Sequence, residues 1–188
     1  MMNNIGFGEA GSQHIPIWRI LGWGSAAGLL LIPLVAMQFS REVQWDGADF
    51  IIATAIIGIT GALAELNVLI TSNLFSRAGG FFAILAGSLV FWSSLAIGMI
   101  GHEGNSVNLL FGLVLLIAIV GAWLSGLHRN ILPLAMLSAG TVQCSIGFLA
   151  GIMGSDFRGG VFTVLLAKLW WIASLLFAFA AKHRGPSD

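Results

Sequence analysis

Apolar residues fill six runs of about twenty residues between Ile17 and Ala181, and polar residues collect in the short gaps between the runs. A helix of that length rises 1.5 Å per residue and crosses a hydrocarbon core of roughly 30 Å. The runs predict spans near 16–38, 48–71, 79–101, 107–127, 131–154 and 159–181, with tails at 1–15 and 182–188. Joins this short make consecutive helices antiparallel neighbours. The expected fold class is therefore an all-α membrane protein, a six-transmembrane-helix bundle with no second domain.

Composition supports the pattern. Of the 188 residues, 57% are hydrophobic and 9% charged, and the mean hydropathy is +0.95, far from a water-soluble domain. Eight basic and eight acidic residues cancel, so no long-range field draws in nucleic acid. The single cysteine, Cys144, lies in an apolar run and can form neither an internal disulfide nor a metal site alone. The opening residues lack a basic stretch followed by a small-residue cleavage site, so the first span reads as retained rather than as a signal peptide.

Basic residues set the expected orientation. Arg19, Arg77, Arg129, Lys182 and Arg184 fall at one set of span ends, and Arg41 and Arg158 at the other, which predicts both termini in the cytoplasm. Glu42, Asp46, Asp49, Glu103 and Asp156 gather on the opposite side. Trp18, Trp45 and Trp123 fit an interfacial aromatic belt.

Small residues mark where helices approach closely in lipid. At 100° per residue, Thr54, Gly58, Gly61, Ala62, Glu65 and Ser72 share one face of the second span. Gly140, Gln143, Cys144, Gly147, Gly151 and Gly154 share a face of the fifth, and the first has Gly24 and Gly28. These stripes make the second and fifth helices the expected centre of the bundle. GMIGHE from Gly98 and GIMGSD from Gly151 suggest a parallel repeat of two hairpins.

Glu65 and Lys168 are the ionisable residues well inside a span, where a charge costs roughly 2.5–3.5 kcal/mol or more. They do not pair directly if Glu65 lies about 25 Å and Lys168 about 13 Å below the outer surface. Gln143, at about 17 Å, with Ser93 and Ser94, is a better neighbour for Lys168 and outlines a polar pocket in the outer half. Trp171 is placed to give Lys168 a cation–π contact. In the outward turns, Asn105 reads as a helix cap, with Asn108 in the first turn that follows and Glu103 near the positive helix end. Together with Trp45, Asp46, His102 and Asp156 they form a second candidate face for a ligand or partner.

The sequence disfavours several chemistries. The four histidines His14, His102, His128 and His183 sit in tails or turns, not where stacked haem requires them. His102 and Glu103 with Asp156 or Asp46 make only a scattered metal ligand set. A lysine in the last span invites comparison with retinal proteins, but six spans and the rest of the pattern do not match. No Gly-x-Ser-x-Gly, His-Glu-x-x-His or Cys-x-x-Cys occurs. No catalytic residue or cofactor is expected, and lipid or pigment held between helices is left open.

The segments PLVAMQFSREVQWDGADF from Pro33 and AIGMIGHEGNSVNLLFG from Ala96, with the apolar pattern around Trp170, resemble a family of small uncharacterised bacterial integral membrane proteins, over most of the chain. That family tends toward a Ser-Glu-Asp-Asn-Pro-Ala-Asn turn; here His102, Gly104, Ser106 and Val107 replace parts of it, while Glu103, Asn105 and Asn108 remain. The resemblance implies a bacterial inner-membrane location and brings no activity. Two function classes remain: an accessory or assembly subunit in contact with lipid and with other membrane subunits or its own copies, and a small permease or channel lined by Glu65, Gln143 and Lys168.

Overall fold

A computed structural model describes residues 17–40, 43–102, 104–126 and 130–183. Residues 1–16 and 184–188, with His14 and Arg184, lie outside the described residues, as do Arg41, Glu42, Glu103, His128, Arg129 and the side chain of Trp18. Six helices are long and apolar enough to cross a membrane, and no strand occurs among the described residues. This is the expected all-α, six-span architecture of a multi-pass membrane protein.

The helices are α1 (Ile17–Phe39), α2 (Gly47–Ile70), α3 (Leu74–Ala96), α4 (Leu110–Leu124), α5 (Ile131–Ile146) and α6 (Phe157–Lys182). A 3₁₀ turn, Ser106–Leu109, leads into α4, and α5 widens into a π-helix over Gly147–Ser155. The chain divides into two compact units, one ending at Thr54 and the other beginning at Ala55.

In the first unit, α1 carries Pro33 inside the helix, where its ring removes one backbone donor. Asp46 opens α2 as a reciprocal cap. Its Oδ1 accepts the Ala48 and Asp49 backbone N–H groups, and Asp49 Oδ2 accepts that of Asp46 at 2.9 Å. Trp45 meets Phe50 edge to face, with ring centroids 5.2 Å apart.

In the second unit, α6 is the central helix and packs against both α3 and α5, while α4 lies on α5. Gly160, Thr163, Ala167, Trp170, Ala173, Ser174 and Ala180 of α6 are buried. Gly140, Gln143, Gly147 and Gly151 of the predicted α5 stripe are buried, Gly154 is exposed with non-helical dihedrals, and the partner at the centre is α6, not α2. Where α2 meets α3, Thr60 Oγ1 and Ser88 Oγ lie 2.7 Å apart, and Asn67 Nδ2 donates to the Arg77 carbonyl at 2.9 Å. The face of α2 toward α3 therefore runs through Thr60 and Asn67, and Ala62 and Ser72 of the predicted stripe are exposed.

The third span begins and ends about a turn earlier than its apolar pattern predicts. Asn73 Oδ1 accepts the Phe75 and Ser76 N–H groups and starts α3 at once after α2. Positive φ at Gly98 (72°) and Gly101 (73°) then turns the chain. Met99 and Ile100 belong to this turn, yet they are 1% and 2% exposed and join the core with Val90, Phe111 and Trp170. At the other end of the unit the rings of Phe75, Phe179 and His183 lie together, 6.2 to 6.4 Å apart.

Candidate functional site

Lipid offers no hydrogen-bonding solvent, so each polar group inside a span needs an internal partner. Several hydroxyls return to their own helix. Thr60, Thr141 and Ser145 donate to the carbonyls of Ile56, Leu137 and Thr141, at 2.7 to 2.9 Å. Ser174 crosses to the Pro133 carbonyl of α5 at 2.7 Å.

Gln143 is fully buried between α5 and α6. Its Oε1 accepts the Trp170 indole N–H at 2.8 Å, and its Nε2 donates to the Thr163 carbonyl at 3.1 Å. Glycines let the helices come this close. A Cβ on Gly147 would stand 2.8 Å from Thr163 Cγ2, and one on Gly151 would stand 2.2 Å from the Gly160 Cα.

Lys168 does not join this group. It is exposed on α6 and makes no hydrogen bond or ion pair among the described residues, because Ala167 and Trp170 occupy the inward face. Trp170, next to the residue favoured from sequence, is the buried indole that serves Gln143. Trp171 is half-buried and lies over Gly140, with its Nε1 buried and without a partner among the described residues. Ser93 is buried. Ser94 Oγ and Thr163 Oγ1 are buried without a partner among the described residues. Glu65 is half-buried and partnered.

The turns after α3 and before α6 form a closed backbone clamp in the second unit. Asn108 is 8% exposed, and its Oδ1 accepts the Met99 and Ile100 N–H groups at 3.0 Å each. Its Nδ2 donates to the carbonyls of His102 at 2.8 Å and Ile100 at 3.4 Å. Asn105 caps the 3₁₀ turn through the Val107 N–H at 3.0 Å. Asp156 joins the two hairpins: Oδ2 accepts the Gly101 N–H at 2.8 Å, and Oδ1 accepts that of Gly159 at 3.0 Å, capping α6. Those bonds to Gly159 and Gly101, aided by Arg158, hold the Asp156 carboxyl below its usual value against the opposing effect of burial.

Four of the turn residues expected to face outward thus serve as caps or clamps. Asn105 and Asn108 act in the first hairpin turn, Asp156 in the second, and Asp46 in the first unit. His102 is exposed, and Glu103 lies outside the described residues. No group of three His, Cys, Asp or Glu residues placed to hold a metal ion occurs among the described residues. The two similar hexapeptides differ in form: the first is a glycine turn, the second the end of a π-helix, and Gly101 of one bonds the aspartate that closes the other.

Sequence reading missed Trp170 as the partner of Gln143 and Asn108 as a four-bond clamp. The buried amide in an apolar helix was the available signal for the first, since such a group requires a donor and an acceptor nearby. No family model, curated protein or solved structure matches the chain.

Proposed function

We propose that the chain is a noncatalytic accessory or assembly subunit of a larger membrane complex, in a bacterial inner membrane with both termini cytoplasmic. The observation that carries this reading is the commitment of Gln143. The most deeply buried amide of the spans has both its ends used in helix packing, by Trp170 and the Thr163 carbonyl. A residue so engaged locks α5 to α6 and is not free to coordinate a passing solute. Broad apolar faces on every helix agree with a protein that associates through its flanks.

A small permease or channel is the second reading, favoured by the buried hydroxyls of Thr163 and Ser94 that have no partner among the described residues. It would need Glu65, Gln143 and Lys168 to line one path.

Purification of the tagged protein from its host in a gentle detergent, with mass spectrometry and an absorption spectrum, tests the proposal. Stoichiometric companion chains support a subunit, and a bound pigment would name its kind of complex. A colourless particle of this chain alone, active in liposome flux assays, would replace the subunit reading with transport.

A further inference from the structure

Leu165, Lys168, Ile172, Leu175 and Phe179 are all exposed on α6 and are spaced 3, 4, 3 and 4 residues apart. That spacing is the seam by which one helix packs along another, with a single polar residue fixing the register. The four apolar members suit lipid or a partner helix equally; Lys168 does not suit lipid. It stands eleven residues after Phe157, about 16 Å along the axis and so near the middle of a hydrocarbon core roughly 30 Å thick. A lysine stem of about 6 Å leaves its ammonium short of either headgroup layer. An isolated cation there is costly, and opposite charge is the remedy that membrane helices use.

The described residues do not supply that charge. Glu65 is the one carboxylate well inside a described span. It is eighteen residues from the start of α2, about 27 Å along that helix and roughly 10 Å deeper than Lys168. The same offset places Glu65 of a parallel second copy out of register.

We propose that the Leu165–Phe179 seam of α6 docks a transmembrane helix of a different protein, and that this helix carries an aspartate or glutamate at mid-membrane depth opposite Lys168. The inference rests on the subunit reading and names the chemistry of the partner. The ammonium–carboxylate pair sets the register, and Leu165, Ile172 and Leu175 supply the apolar contact on either side.

A photocrosslinking amino acid placed at Leu165, and at Leu116 of α4 as a control, tests this in membranes of the native host. The expected result is one adduct from position 165, to a membrane protein whose crosslinked span contains an Asp or Glu. Lys168→Met should reduce that adduct about tenfold or more, as loss of a desolvated charge pair does, and Lys168→Arg should retain most of it. Lys168→Glu combined with a lysine at the partner's carboxylate should restore it. Equal detergent melting of the Met variant and the native chain ensures that the loss is not misfolding. An adduct indifferent to Lys168→Met, a crosslink only within this chain or to lipid, or a partner span without a carboxylate would each overturn the proposal. Companion chains that still copurify with the Met variant, and crosslink from Leu116, would keep the subunit reading while removing this seam. No companion chain at all would remove both.

Discussion

The indole N–H of Trp170 donates to the Gln143 carboxamide at 2.8 Å in a region where both side chains are almost completely excluded from the surface. Each is the other's means of being buried. Gln143→Leu strands the indole donor, and Trp170→Phe strands the amide oxygen, so each is expected to destabilise the protein by about 1–3 kcal/mol. The double variant should lose less than the sum, because no orphan then remains. Unfolding titrations in mixed detergent micelles measure the cycle, and strict additivity would show that the bond contributes nothing.

Asn108 spends all of its side-chain bonding capacity on the turn that carries Met99 and Ile100 into the core. Asn108→Leu leaves two buried N–H groups without an acceptor, with an expected loss of at least about 2 kcal/mol. Asn108→Asp keeps the acceptor and should lose less. Hydrogen exchange should localise the damage: the Met99 and Ile100 amides become fast in the Leu variant while the middle of α5 stays protected.

Thr163 Oγ1 has no partner among the described residues, although the residue is fully buried. Replacing a hydroxyl that bonds nothing with a methyl group removes a desolvated polar atom, so Thr163→Val should be neutral or should stabilise by up to about 1 kcal/mol. A clear loss of stability in the same titration would mean that the hydroxyl holds a water or a ligand, and would favour the transport reading.

The spans were legible because length and apolarity alone decide them, and five of the six helices begin within three residues of the predicted starts. The exception is α3. Its start depends on the Asn73 cap and its end on two positive-φ glycines, neither of which alters the apolar run. Facing was far less legible. Apolar residues lie all round α6, so the sequence gives no clear face by which to orient it, and the polar pocket expected around Lys168 and Trp171 forms instead around Trp170. The turns show the opposite: Asn105 reads as a cap from local chemistry and the Asp156 bond to Gly159 is equally local, the Asn108 bonds reach back six to nine residues, and the bond from Gly101 to Asp156 across 55 residues exists only in the tertiary fold.

Glycine counts also mislead without geometry. Gly151 and Gly112 both lie in apolar helices, but a Cβ on Gly151 would meet the Gly160 backbone at 2.2 Å and one on Gly112 would meet nothing within 4 Å. Gly151→Ala must push α5 and α6 apart, at an expected cost of about 1–3 kcal/mol. Gly112→Ala should be neutral or should stabilise by up to about 1 kcal/mol through helix propensity. Thermal midpoints of the two variants in one detergent give the comparison, and similar values would contradict the tight α5–α6 crossing.

Asp156 gives the fold a defined response to acid. Its carboxyl is held below the usual range, first by the Gly159 N–H and then by that of Gly101, so the folded protein binds its proton less readily than the unfolded chain does. The contribution is fully present above the ordinary carboxyl value of about 3.9, and it fades as pH falls through the lower folded value. Asp156→Ala removes the α6 cap and the tie to the first hairpin together, so it should melt well below the native chain at pH 7. The gap should narrow below about pH 4, as the native carboxylate takes up its proton. Melting curves for both proteins between pH 7 and pH 3 in an uncharged detergent check this, and a gap that stays constant down to pH 3 would show that the ionised carboxylate is not what joins the two hairpins.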